Sequence, residues 1–245
     1  MGNDFDSIGI KGIKKQEDTA RFYHEHLNCV NEFTVNGEKF VVISDGEGME
    51  LFFYGDRESI GLRYCELYYA PSTVLNVQAR EWVAPHGDSG RNFLQVLATD
   101  YEIPLNICVP DFYMRKNIPL EDIKQMKVIC FFERFSVYNS EEEYYARENG
   151  KMAAESLIPC GTFSLKEREK DFEPNNTIII SGRISKVEKK INRLGGGEFY
   201  VIFVECLGAT FEVVVEASAV SEDGYTFLIG GIFSGVLSVV GKIVE

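Results

Sequence analysis

The chain opens with a helical pattern and then runs in strand patterns for most of its length. In residues 16–30, Ala20, Tyr23, Leu27 and Val30 recur at near-helical spacing, which predicts a helix with one buried face. From Glu38 the period changes. Lys39–Ser44 and Met49–Tyr54 are apolar runs on either side of Asp45-Gly46-Glu47-Gly48, whose composition suits a hairpin turn. Gly55-Asp56-Arg57-Glu58 turns the chain again. Ile60–Tyr69, Val74–Val83, Asn92–Ala98 and Ile103–Val109 then follow as strands. Short strands divided by turn chemistry predict an antiparallel sheet.

Pro119–Met126 reads as a short helix and Lys127–Tyr138 as a central strand. Ser140-Glu141-Glu142-Glu143 is a capping box, so a helix begins there, runs to about Asn149 and stops at Gly150. The polar stretch 166–176 marks a boundary between a β-rich antiparallel lobe with helices (1–165) and a second unit (177–245). In the second unit, Thr177–Lys190, Phe199–Cys206, Thr210–Glu216, Phe227–Phe233 and Val236–Val244 read as five strands. Gly195-Gly196-Gly197 forms its first turn. Phe211, Val213 and Val215 face one way, which predicts a sheet with one buried face. Five strands in so short a unit fit an OB-type barrel. The expected fold is mainly β (α+β): an antiparallel β-sheet lobe with a few helices plus a C-terminal OB-like β-barrel.

Charge narrows the partners. The net charge is -13. Residues 1–170 carry -9 and residues 171–245 carry -4. Both units repel a phosphate backbone, so general nucleic-acid binding is not expected and a basic protein is the better partner. The N-terminus Met1-Gly2-Asn3-Asp4-Phe5-Asp6 has neither a basic nor an apolar leader region, and Asp6 breaks a myristoylation motif. The uncharged run Tyr225–Val240 is too short, and too rich in glycine, for a membrane span. Cys29, Cys65, Cys108, Cys130, Cys160 and Cys206 stand singly, as reduced thiols of a cytoplasmic protein do. Cys160, between Pro159 and Gly161, is the one expected at the surface.

No catalytic or metal-binding set is complete. Gly87-Asp88-Ser89-Gly90 looks like a serine-protease nucleophile segment, but its only nearby base, His86, is three residues away. His24-Glu25-His26 places two imidazoles about 200° apart on a helix, where they cannot share an ion. Asp45, Glu47 and Glu50 do not follow a calcium-loop spacing. The triplet 195–197 lacks the Lys-Ser/Thr of a phosphate loop. No cofactor and no metal is expected.

Several segments together resemble an uncharacterised bacterial protein family of similar length. They are Phe5–Gly9, Val109-Pro110-Asp111-Phe112, Phe135–Ser140 and Ile158–Phe163, with Ser181–Ile184, Asn192, Leu207–Phe211 and Ile229–Gly235 in the second unit. The resemblance implies a β-rich N-terminal lobe joined to an OB-like barrel and carries no activity. The chain departs from that pattern at Leu237-Ser238, where the family has an aromatic pair.

The functional expectation is a non-enzymatic intracellular binding protein that meets a basic partner, such as an immunity protein neutralising a basic toxin. Its candidate contact is the start of the helix at 141, with Glu141, Glu142, Tyr144 and Tyr145. One alternative is an OB module for a small ligand or single-stranded nucleic acid, using Arg183, Lys186, Lys189, Lys190 and Arg193. Another is an enzyme whose site is assembled from dispersed residues.

Overall fold

The computed structural model describes residues 4–13, 16–35, 37–54, 64–84, 91–148, 153–162, 174–222 and 224–244. The elements run α1 (Asp4–Ser7), α2 (Gln16–Glu25), β1 (Val30–Val35), β2 (Glu38–Ser44), β3 (Met49–Tyr54), β4 (Tyr64–Tyr69), β5 (Leu75–Val83), β6 (Phe93–Ala98) and β7 (Ile103–Cys108). Next come α3 (Phe112–Arg115), β8 (Gln125–Tyr138), α4 (Glu141–Glu148), β9 (Ser156–Pro159), β10 (Thr177–Ile191), β11 (Glu198–Cys206), β12 (Ala209–Glu216), α5 (Ala217–Glu222) and β13 (Ile232–Ile243). The protein is mainly β, as the pattern predicts.

Five strands close a ring. β10, β11 and β12 form an antiparallel meander. β12 then pairs in parallel with β8, β8 pairs antiparallel with β13, and β13 returns to β10. This is the ring order of an OB barrel with its fifth strand placed ahead of the first. α5 lies between the third and fourth strands. The barrel expected from residues 177–245 therefore contains only four strands of its own, and β8 supplies the fifth. Phe227–Phe233 is not a separate strand. Gly230 has φ +85°, and a Cβ on Gly231 would lie 2.7 Å from the Tyr138 carbonyl, so this stretch turns and leaves one long β13.

The same β8–β13 ladder anchors a second, looser loop of strands. β5, β6 and β7 form an antiparallel meander. β5 joins β8 at Leu75↔Met126 and β7 joins β13 at Cys108↔Val240. One apolar core runs through both loops, from Leu94, Leu105 and Ile107 to Ile180, Val213 and Phe233.

Strands β1–β4 make a separate antiparallel sheet whose middle strands are buried on both faces. Val41, Ile43, Leu51 and Phe53 alternate with Phe40, Val42 and Phe52, and all are buried. Tyr23 of α2 meets Phe53 on one face, and Lys242 of β13 lies over Phe52 and Tyr68 on the other. The helix expected through 30 ends at Glu25. Leu27 has no core to face and stays 42% exposed, while the β-prone run Val30–Val35 pairs with β2. The helix expected at Pro119–Met126 is a single 3-10 turn, because Gln125 and Met126 are already in β8.

The glycine turn between β10 and β11 is gripped by the N-terminal segment. Cβ atoms on Gly9, Gly195 or Gly197 would each meet opposing backbone within 2.7 Å, so only glycine permits this approach. Asn192 is fully buried at the joint. Its Nδ2 donates to the Ile8 carbonyl at 2.8 Å, and its Oδ1 accepts from Leu194 and Gly195 N–H. His26 adds a bond to the Leu194 carbonyl at 2.9 Å.

Two outcomes are expected. Gly197→Ala should lower stability by about 1–3 kcal/mol in chemical denaturation, since its neighbour is rigid backbone; an unchanged midpoint would contradict the grip. A fragment of residues 177–244, lacking β8, should show no cooperative thermal transition by circular dichroism.

Candidate functional site

The sequence-predicted acidic surface is divided by the fold. Ahead of α4, Ser140 Oγ accepts from Glu143 N–H at 3.2 Å and Glu143 accepts from Asn139 N–H at 2.8 Å, so the predicted cap forms with its return bond one residue before Ser140. Tyr144 points inward, 1% exposed, with its hydroxyl 3.2 Å from Ser181 Oγ. Tyr145 is 41% exposed. Glu141 is held by Arg183, and Glu142 is exposed. Of the four residues expected at this contact, Glu142 and Tyr145 are exposed, Glu141 is paired and Tyr144 is buried.

Each member of the predicted basic set is paired with a carboxylate. Arg183 pairs with Glu141, and Lys186 and Lys190 share Glu188 at 2.5 and 2.7 Å. Lys189 meets Glu198 at 2.7 Å, and Arg193 meets Glu47 at 2.5 Å. These residues lie along β10 and its turn without forming an open cationic groove.

The face an OB barrel offers to ligands, the outer side of its second and third strands, is covered. Along β11, Ile202 and Val204 point into the barrel, while Phe199, Val201 and Phe203 point outward into a second core with Ile8, Ile10 and the small sheet. β12 does the same, so the single buried face expected there is corrected to two. Val214 is wholly buried on the outer side. Glu212 is 2% exposed there, and its Oε1 accepts from Ser72 N–H, Ser72 Oγ–H and Thr73 N–H at 2.7–2.8 Å. It fastens the segment between β4 and β5 to the barrel.

The other sequence candidates find structural roles. Asp45 Oδ1 accepts from Glu47 and Met49 N–H, while Glu47 and Glu50 are paired with Arg193 and Lys242. The described residues contain no group of three His, Cys, Asp or Glu side chains placed to hold a metal ion. His24 is exposed and His26 grips the glycine turn. Cys29, Cys130, Cys160 and Cys206 are free thiols, with Cys160 exposed and Cys108 buried. Gly87–Gly90 and His86 lie outside the described residues, as do the side chain of Cys65 and residues 166–173 of the predicted boundary. No described helix is long and apolar enough to cross a membrane.

Two hollows remain. A cleft of about 210 Å³ lies between Thr73, Val74, Leu75, Tyr101, Val128, Thr210 and Phe211, where β8 passes from β12 to β5. The other is small, about 10 Å³, and is built around the Val109-Pro110-Asp111-Phe112 segment. Phe40, Phe52, Tyr54, Tyr113 and Met114 line it beside Asp111. The rings of Phe40, Tyr54 and Tyr113 are mutually 5.0–5.3 Å apart. Asp111 is 4% exposed, with Oδ2 3.2 Å from Arg115 Nε, and its Oδ1 has no hydrogen-bond partner. Tyr54 donates to the Pro110 carbonyl at 3.2 Å. Burial first, and then the charges of Cys108, Glu66 and Asp111 among others, push the Tyr54 hydroxyl far above its ordinary range. Sequence reasoning passed this site over because its parts come from β2, β3 and the loop after β7.

No protein-family model matches the chain, and no curated protein or solved structure is significantly similar to it.

Buried acids of high pKa predict alkaline lability. Burial pushes the thiols of Cys130 and Cys206 from 9.0 up to about 12. Burial, with the Glu148 hydrogen bond, pushes Tyr138 from 10.0 up to about 12. Each group holds its proton more tightly folded than unfolded, so its contribution is full below pH 9–10 and is lost as pH rises toward 12. The denaturation midpoint should fall steadily over that window, and a flat profile would contradict these burials.

Proposed function

We propose that this is a non-catalytic binding protein of the cytoplasm whose partner is basic, in the manner of an immunity protein that neutralises a basic toxin. The observation carrying this reading is where the charge is spent. Arg183, Lys186, Lys189, Lys190 and Arg193 are each tied to a carboxylate, and the chain keeps a net charge of -13. Single-strand binding by an OB module needs a cationic groove with stacking aromatics on an open face. Here Phe199, Val201 and Phe203 on that face are buried by the chain's own N-terminal segment and small sheet. An acidic surface instead speeds encounter with a cationic protein and rejects anionic ones.

Glu142 and Tyr145, exposed on α4, supply one charge and one aromatic anchor for such a contact. Partners captured from the source cells and purified should be basic, and their association rate should fall as salt rises. Glu142→Lys should slow association further and lower stability modestly, because it reverses a charge in the first turn of α4. Micromolar binding of unrelated single-stranded oligonucleotides at physiological salt would defeat this reading, as would a partner whose association rate ignores salt.

A further inference from the structure

We propose that the hollow at Asp111 is a binding site for a primary ammonium group, the head of an alkylamine or of a lysine side chain. Four observations on this site converge, and none depends on the α4 surface.

First, the acceptor is unused. Asp111 is 4% exposed and its Oδ1 has no hydrogen-bond partner, although Arg115 engages Oδ2. Asp111 precedes α3, yet its carboxylate makes no capping bond to that helix. A buried carboxylate oxygen left without a donor is costly, and a charged donor relieves that cost most.

Second, the walls suit a cation. Phe40, Tyr54 and Tyr113 line the hollow with Asp111, their rings packed on one another at 5.0–5.3 Å, and aromatic rings attract ammonium groups. Tyr113 already does so, since Lys116 Nζ lies 5.1 Å from its ring centroid. Third, two carboxylates, Glu66 paired with Arg91 and Asp111 paired with Arg115, lie close enough to oppose ionisation of Tyr54.

Fourth, size selects the head group. About 10 Å³ admits one water-sized occupant. An ammonium head is the size of that occupant and reaches the solvent-shielded Oδ1 through a small shift of the lining side chains, whereas a guanidinium or a quaternary ammonium is too large. The half-buried residues Tyr54, Tyr113 and Met114 form the side through which an alkyl stem leaves. One oxygen of one carboxylate, beside a carbonyl that already accepts from Tyr54, is too small a donor set for a divalent metal.

The test follows the methyl resonance of Met114 in the full-length protein, assigned with Met114→Leu. Titration with n-butylammonium chloride should give a saturable shift. Tetramethylammonium at equal ionic strength and butan-1-ol should not. Asp111→Asn should weaken n-butylammonium binding at least about tenfold. Tyr113→Leu, which spares the Asp111–Arg115 pair, should weaken it severalfold and serves if Asp111→Asn fails to fold. A short lysine peptide that binds as well as n-butylammonium makes the ligand a protein side chain; binding of the free amine alone makes it a small molecule. An equal response to butan-1-ol, no saturable response, or unchanged affinity in both variants would overturn the site. Because no protein partner enters these titrations, their outcome is separate from that of the proposed function.

Discussion

The β8–β13 ladder is the constraint on which the rest of this structure depends. Twelve residue pairs join the two strands, from Ile232↔Tyr138 to Ile243↔Met126, with one bulge where Glu133 is displaced. The bulge is satisfied, because Glu133 accepts from the Ser238 hydroxyl at 2.9 Å. The upper part of this ladder closes the OB-like ring against β12 and β10. Its lower part receives β5 and β7. Neither loop of strands can close without it, so the two halves of the chain form one connected β architecture. A long-range pair of this kind must form before the shorter meanders gain their full burial, which favours slow, cooperative folding.

Two-sided burial is the second consequence. β8, β11 and β12 sit between the barrel interior and the core shared with the small sheet, so they carry apolar residues on both faces. Cys130 points into the first core while Ile129 and Phe131 belong to the second. Several of the buried polar side chains at the seams bind backbone. Glu212 caps the strand-to-strand passage at Ser72 and Thr73, Asn192 ties the glycine turn to Ile8, and Asn176 donates to the Val239 carbonyl at 2.7 Å. Each fixes a junction between elements far apart in sequence. The cost of leaving such groups unpaired makes these junctions specific as well as strong.

Local signals were legible in the sequence, and long-range ones were not. The capping box at Ser140, the hairpin turns at Asp45–Gly48 and 195–197, and the alternation of Phe211, Val213 and Val215 all depend on residues near one another. The fifth barrel strand depends on parallel pairing of Val213 with Cys130, across more than eighty positions, and no periodicity reports that. The outer faces of β11 and β12 were misjudged for a related reason. Alternation shows which residues share a face, but whether the second face is wet depends on what packs there. The basic set shows the same limit. Its density along β10 is visible in the sequence, and so is Glu188 on the same strand, whereas the other carboxylates that pair with it come from the β2–β3 turn, α4 and β11. Tyr144 was legible only in part, since the pair Tyr144-Tyr145 announces one inward ring without saying that its hydroxyl reaches Ser181.

These junctions also explain why Asp111 stands apart. Five buried side-chain atoms of the described residues have no partner: Tyr23 Oη, Trp82 Nε1, Asn106 Oδ1, Asp111 Oδ1 and Ser156 Oγ. Four belong to neutral groups, for which a missing bond costs a moderate amount. Asp111 alone carries charge, and a buried ion is far less tolerant of an empty lone pair. The chain has the means to satisfy such an oxygen, as the three donors on Glu212 demonstrate. It also places backbone N–H groups immediately after Asp111, at the start of α3, yet the carboxylate does not use them. Its Oδ2 serves the fold through Arg115, while the unpartnered Oδ1 beside three aromatic rings is the feature on which the proposed ammonium site rests.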